Sequence, residues 1–279
     1  MNLSWLSTFL TILETGSLVQ AAQRLNVTQS TVTARLKALE DHLGQTLITR
    51  SKSGATPTGS GLRLKRYAET ITGLWSQARQ ETALPTSVSS VCNIGCHPDL
   101  WPGMTQRLFD FIRATEPDAA LSVWQGGQHE LALWQREGLV DLTLTYWAPS
   151  DPTQDIHQLA PDHLILVSTR PDAPIRFDPG YVFVEAGEDF GRQHAIAYAD
   201  ADTARISFGS ALLGLEHILQ HGGTAYLPDR IAAAYVKDGR LHRLDQAPAF
   251  ERPIFMAINR QASTSWAWLQ DGLDLMQTL

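Results

Sequence analysis

Four residues of the chain, Cys96, His97, Pro98 and Asp99, bring a thiol, an imidazole and a carboxylate together, the types used as nucleophile, base and orienting acid. Neighbours on a strand face opposite sides, so a working Cys96–His97 contact would need an unusual bend. Cys92 adds another metal-binding type, yet no C-x-x-C spacing accompanies it. Cys92 and Cys96 are the only cysteines, and an extended chain holds them too far apart to bridge without a tight turn. Both are read as reduced thiols, with a redox role depending on their reactivity. The reading is therefore of a non-enzyme with no cofactor and no metal. A second constellation carries different chemistry. Thr28, Gln29, Ser30, Thr31 and Thr33 offer short hydroxyl and amide groups, and Lys37 follows as a cation. Glutamine can pair with the N6 and N7 of adenine, serine and threonine can bond bases or touch thymine methyls, and lysine can hold a phosphate.

The surrounding pattern positions those groups. Leu6, Phe9, Leu10 and Leu13 make one helical stripe that Gly16 ends. Ser17 with Gln20 forms a capping-box start for a second helix, whose small Ala21 and Ala22 let a neighbour approach closely. After Asn26-Val27, Thr28 caps a third helix predicted to run to His42. Val32, Leu36, Leu39 and Leu43 face inward there, leaving Gln29, Ser30, Thr33, Ala34 and Lys37 outward near the start. A helix with a short, uncluttered polar first turn fits a major groove about 12 Å wide.

Thr46 to Arg50 alternates like a strand, and Ser51 to Ala55 is rich in turn formers before Thr56-Pro57-Thr58, so a two-stranded wing is expected. Arg50 and Lys52 would meet the backbone or the adjacent minor groove. Arg35 and Thr58 complete the expected DNA-contacting set.

Over residues 1–67 the cations Arg24, Arg35, Lys37, Arg50, Lys52, Arg63, Lys65 and Arg66 outnumber Glu14, Glu40 and Asp41, although the whole chain carries a formal charge of -7. A basic head on an acidic body suggests phosphate contact at one end. The run from Gly16 to Gly61 resembles the LysR-type winged helix-turn-helix. The resemblance rests on Gly16-Ser17-Leu18, Ala21-Ala22, Leu25, Thr28-Gln29-Ser30, Val32-Thr33, Leu36, Leu39-Glu40, Leu43-Gly44, Leu47, Arg50, Thr56, Thr58 and Gly61. Thr31, Ile48 and Ser60 depart from the family's common choices.

Leu64, Ala68, Ile71, Trp75 and Ala78 recur at helical intervals with no proline until Pro85, predicting a long linker helix. A stripe projecting from its domain would be buried by a second copy, and the resemblance likewise implies paired linker helices. The expected division is residues 1–57 for DNA binding, 58–87 for linker and hinge, and 88–279 for a sensor.

Beyond the boundary, β-rich and helical runs alternate: Ser89 to Gly95, a helix from Gly103 to Ala114, Ala119 to Trp124, a helix from His129 to Glu137, then Asp141 to Tyr146. Leu164 to Ser168, Tyr181 to Glu185, Arg205 to Phe208, a helix from Ser210 to Leu219, Gly222 to Leu227 and Pro253 to Ile258 continue the rhythm. It predicts a mainly parallel sheet in two α/β lobes, one of 88–160 with 260–279 and one of 161–259. Gly138 to Leu142, Gly223 to Pro228 and Gly239-Arg240-Leu241 resemble the family's periplasmic-binding-protein-like effector domain. Leu100-Trp101 and Glu185 to Phe190 are similar to its HdfR-like branch. Strand ends place Cys96, His97, Asp99, Trp101, Gly126, Gln128, Tyr146, Trp147, Glu185 and Phe208 at an interlobe cleft for a small molecule.

The expected fold is thus an all-α winged helix-turn-helix with a linker helix, followed by a two-lobed α/β effector domain. The resemblance implies double-stranded DNA, a small-molecule effector and other copies of the chain as partners, in a homodimer or dimer of dimers, with RNA polymerase a further one. With 43% hydrophobic and 18% charged residues the composition is that of a globular protein. The N-terminus lacks a basic leader and no apolar run approaches the ~20 residues of a membrane span, so a cytoplasmic location is expected.

Overall fold

The computed structural model describes residues 2–51, 54–149, 151–176, 178–200 and 204–278. They fall into two compact units, Met1–Leu84 and Pro85–Leu279.

In the first unit, α1 (Leu3–Thr15) starts on Asn2, whose side chain accepts the Ser4 N–H. It ends at Gly16, in the left-handed region at φ 63°, a conformation glycine adopts without a Cβ penalty. Leu6, Phe9 and Ile12 are its fully buried apolar side chains, with Thr8 buried beside them, while Leu10 and Leu13 are half-buried. α2 (Leu18–Arg24) is capped by Ser17, and α3 (Gln29–Leu43) by Thr28. The turn between them places Asn26 at φ 53°, which asparagine tolerates better than most residues. Val32, Leu36 and Leu39 are fully buried against α1 and α2, each such leucine contributing about 2 kcal/mol through burial. Glu40 then accepts the Leu47 and Ile48 N–H groups at 2.8 and 3.2 Å, which fixes where the wing departs.

The wing pairs β1 (Ile48–Ser51) antiparallel with β2 (Gly54–Pro57). The Ala55 N–H donates to the Gly16 carbonyl at 2.8 Å, tying the wing to the turn after α1. α4 (Gly59–Thr82) follows. Its predicted stripe divides in two. Leu64, Ala68 and Ile71 pack on the unit's own core, whereas Trp75 and Ala78 are exposed together with Tyr67 and Leu74.

The second unit is built on one sheet. Its strands are β3 (Val91–Cys96), β4 (Ala120–Gln125), β5 (Leu142–Thr145), β6 (Gln154–Ser168), β7 (Tyr181–Val184), β8 (Ile206–Phe208), β9 (Thr224–Pro228), β10 (His242–Arg243) and β11 (Phe250–Asn259). The order is β4-β3-β5-β11-β6-β9-β7-β8, with β10 on β6. Lobe I carries β3, β4 and β5 with α5 (Gln106–Thr115), α6 (Gln128–Arg136) and α10 (Leu269–Gln277). Lobe II carries β7, β8 and β9 with α7 (Glu188–Ala197), α8 (Ala211–His221) and α9 (Asp229–Lys237). β6 and β11 pass through both.

The expectation of a mainly parallel sheet is corrected. The outer strands of each lobe are parallel, but β11 pairs antiparallel with β5 and β6, and β6 pairs antiparallel with β9 and β10. β6 is 15 residues long, where only its end was legible, because Pro161 interrupts the alternation that marks a strand. β11 shifts register between Arg252 and Ile254, at Pro253, which has no N–H to give the ladder. α5 begins at Gln106 rather than Gly103, since Pro102 is extended and Gly103 sits at φ 75°.

Gly61 is buried where α4 passes the α3–wing connection, and a Cβ there would lie 2.2 Å from the Leu47 carbonyl oxygen. Backbone cannot rotate aside, so Gly61→Ala should lower the unfolding free energy of the first unit by about 2 kcal/mol or more. Urea titration followed by circular dichroism checks this; an unchanged midpoint would contradict the packing described.

Candidate functional site

At the head of α3, Thr28 Oγ1 accepts the Thr31 N–H at 3.2 Å and lies 2.8 Å from both Ser30 Oγ and Thr31 Oγ1. This hydroxyl cluster holds the first turn in shape. Gln29, Ser30 and Lys37 are exposed, and Thr31 and Thr33 half-buried. Gln29, Ser30, Thr33 and Lys37 span about 100° of helical arc, a single outward strip. Arg50 is exposed on β1, and Lys52 lies outside the described residues. Two other expected contacts are placed differently. The Arg35 guanidinium reaches back to Thr8 of α1 at 3.5 Å, because position 35 borders the inward arc. Thr58 Oγ1 donates to the Thr46 carbonyl at 2.7 Å and accepts the Gly61 N–H at 3.0 Å, capping α4.

In the second unit the seam between lobes is filled by the chain's own polar groups. After β3, a short turn from Pro98 to Leu100 puts Asp99 at 0% exposure. Its carboxylate accepts Ser210 Oγ–H at 2.6 Å, Ala211 N–H at 3.0 Å and Leu212 N–H at 3.3 Å, all at the start of α8 in the other lobe. A second tie crosses nearby. Arg230 of α9 holds both carboxylate oxygens of Asp162, the Tyr146 hydroxyl at 2.9 Å, and the carbonyls of Asp99 and Pro102. Tyr146 donates to Asp162 at 2.6 Å; burial first, then the Asp162 charge, raises its pKa and keeps the hydroxyl protonated. Arg252 stacks over the Tyr146 ring at 3.4 Å, a cation–π contact, and reaches within 3.9 Å of Asp99.

His97 packs edge-on against Tyr146 and Trp147, with ring centroids 5.1 and 6.4 Å apart. Burial pushes its imidazole down to about 4; Asp99 pulls it upward, and Arg252 and Arg230 push it down. Nδ1 accepts the Asp99 N–H at 3.2 Å. At neutral pH the 3.9 Å approach of His97 to the Asp99 carboxylate is therefore a dipolar contact, not an ion pair.

The structure thus gathers His97, Asp99, Tyr146 and Trp147. Cys96 lies in the lobe I core with Cys92, in the cluster that Tyr146 also joins, and burial pushes its thiol up to about 11, opposed by a hydrogen bond with Thr105. Trp101 packs on Phe109 and Phe208 on His217, each within its own lobe. Gly126 lies beside Trp134, Gln128 opens α6 exposed, and exposed Glu185 accepts the Gly187 N–H. Asp162, Arg230 and Arg252 were missed as site residues. Arg230 and Arg252 carried one available signal, a cation inside a largely apolar run.

Lobe II also holds a cavity of about 770 Å³ lined by Tyr181, Phe183, His194 and Tyr198 among others, and none of the expected effector residues lines it. Of its polar groups, Tyr181 Oη and His194 Nε2 lie 2.8 Å apart, and Asp178 accepts from Thr224 and, outside the lining, from Arg170 and the Gly180 N–H. The seam, where charge and both lobes meet, is the better candidate.

Comparisons with known proteins bear on both units. Residues 3–62 match the family described as bacterial regulatory helix-turn-helix protein, lysR family, and residues 86–271 match the LysR substrate binding domain. The transcriptional regulator HdfR of Escherichia coli O45:K1 is 31% identical over 284 residues, covering 99% of this chain and 98% of its own. The crystal structure of CbnR, a LysR family regulator, superposes with TM-score 0.76 at 16% identity, covering 99% of both chains. Full-length LysG of Corynebacterium glutamicum with bound effector Arg gives TM-score 0.51 at 23% identity, covering 100% of this chain and 98% of its own.

Two outcomes follow from the seam. The ordinary imidazole value of 6.5 lies above that of folded His97, so the unfolded chain binds the extra proton. The stability this gives is present above pH 6.5 and lost as pH falls toward 4. Relative to His97→Gln, the native chain should lose roughly 3 kcal/mol across that window, read from urea midpoints at several pH values; parallel profiles would refute it. Arg230→Met, which leaves Asp162 buried without its cation, should cost about 3–5 kcal/mol, and adding Asp162→Leu should recover part of it.

Proposed function

The chain belongs to the LysR-type family of bacterial transcriptional regulators, and from that premise we propose that α3 reads a dyad-symmetric operator while the seam between the lobes receives a small-molecule effector. The observation that carries the DNA half is the outward strip of Gln29, Ser30, Thr33 and Lys37 on a helix whose first turn is fixed by Thr28. Gln29 supplies base discrimination. Lys37 and Arg50, with Lys52 from the wing, supply phosphate and minor-groove contact. Thr31 works through the cap, and Arg35 and Thr58 position α3 and α4 rather than reaching bases.

Two copies are needed for a dyad. The exposed Tyr67, Leu74 and Trp75 on α4 support a homodimer paired along that helix, and effector-domain pairing would make a dimer of dimers. The protein acts in the cytoplasm, meets RNA polymerase at its promoters, and performs no catalysis of its own. That last reading is supported by the Cys96 thiol, which is buried in the lobe I core and whose pKa burial pushes up to about 11. No helix among the described residues is long and apolar enough to cross a membrane.

LysG, of the same fold, holds arginine as effector. In this chain an effector at the seam would contact the His97, Tyr146, Trp147, Glu185 neighbourhood and alter how the lobes close. It changes transcription only to the extent that it binds one arrangement of the assembly more tightly than another.

Gel-shift titrations on promoter and scrambled duplexes at several salt concentrations test the DNA half. Gln29→Ala should relax discrimination at one base position by about 1–3 kcal/mol. Lys37→Ala or Arg50→Ala should weaken binding to both duplexes and reduce the salt slope by about one. Unchanged discrimination in Gln29→Ala would remove α3 from its assigned role.

A further inference from the structure

We infer that Asp99 is a built-in anionic occupant of the interlobe site, filling the start of α8 so that the seam rejects carboxylate effectors and selects neutral or cationic ones. The inference rests on the seam being the effector site. Asp99 comes from lobe I and its three donors from lobe II, 111 to 113 residues away. Those donors are what a free carboxylate would need: a hydroxyl and two successive backbone N–H groups at a helix N-terminus, where the dipole also favours an anion. Here they are spent on a tethered group. A side chain held by its own backbone pays little of the ordering cost a dissolved acid must pay, so it competes at high effective concentration.

The charges nearby agree with this assignment. Arg230 is committed to Asp162 and to the carbonyls of Asp99 and Pro102, and it cannot also turn to an anion. Arg252 lies flat over Tyr146 with Asp99 as its near carboxylate. His97 is neutral and accepts through Nδ1. Asp99 and Asp162 balance Arg230 and Arg252, while Glu185 adds an exposed negative charge at the edge. An incoming carboxylate would find the start of α8 already filled; Arg252, whose Nε has no hydrogen-bond partner, is the one under-used cation and already faces Asp99 at 3.9 Å, whereas an amine or guanidinium would meet Glu185.

Removing the tethered carboxylate should turn the site into a receptor for a small anion. Six of the eight tryptophans lie beyond residue 85, so intrinsic fluorescence during heating of the full chain reports mainly on the second unit. Asp99→Ala should melt roughly 5–10 °C below the native chain. Acetate, but not chloride at equal ionic strength, should restore about half of that loss along a saturable curve. The native chain should respond alike to acetate and chloride. Should Asp99→Ala fail to fold, Asp99→Asn keeps the shape without the charge and should still melt several degrees low. A native chain stabilised by acetate, an Asp99→Ala chain indifferent to it, or an Asp99→Asn chain melting as the native one does would each overturn the inference. None of these outcomes touches operator binding, whose failure would show separately in the gel shifts.

Discussion

The polypeptide crosses from lobe I to lobe II through β6 and returns through β11, and these two strands are hydrogen-bonded to each other along most of their length. Lobes joined by a paired ribbon cannot part. They can only pivot about it, the hinge behaviour expected when few residues absorb the change. What fixes the pivot angle is the set of side chains bridging the seam beyond the ribbon, chiefly Asp99 on the start of α8 and Arg230 on lobe I carbonyls. A carboxylate at 0% exposure has lost its water and tolerates this only because three donors replace it. Opening the seam would return that water, which offsets part of the cost of breaking the three hydrogen bonds.

Coupling between sites in regulated proteins is typically 1–3 kcal/mol, about the worth of one or two charge-assisted hydrogen bonds. The seam offers contacts of that size. Its buried charges cancel and His97 stays neutral, so no large electrostatic imbalance dictates one arrangement. Pro253 contributes locally: by breaking the ladder beside Arg252 it frees β11 from regular pairing where that arginine must lie flat on Tyr146.

The DNA-reading head was legible because local rules fix it. Ser17 and Thr28 announce helix starts, Gly16 announces a stop, and the 3.6-residue stripe of Val32, Leu36 and Leu39 orients α3 without reference to distant chain. The seam was only half legible. His97, Asp99 and Tyr146 were found as strand ends, but Asp162 sits inside a strand hidden by Pro161, and Arg230 and Arg252 owe their roles to partners distant in sequence, from 68 residues away for Arg230 and Asp162 to 131 for Arg230 and Asp99. Cys96 closes β3 with its side chain in the lobe I core, and His97, the first residue past the strand, packs on Tyr146 and Trp147. α7 and α10 each contain a glycine, Gly191 and Gly272, which weakened the helical pattern.

The two surfaces also differ in how much of their hydrogen-bonding capacity is left over, and on the proposed reading that decides what each can recognise. At α3, Thr28 already engages Ser30 and Thr31, so those hydroxyls would have to trade an existing bond for one to a base, with little net gain. Gln29 is exposed on the same turn, with an amide that can both donate and accept. Discrimination therefore concentrates on the residue that the cap does not use. At the seam most strong donors are committed within the chain, those of Arg230 and the start of α8 above all, and Arg252 Nε is the buried donor left without a partner, so an effector gains through shape, aromatic contact, the exposed charge of Glu185 and that one guanidinium. A regulator built this way keeps its reading head rigid and its sensing seam self-satisfied, and the ligand acts by offering a slightly better alternative to bonds the protein already makes with itself.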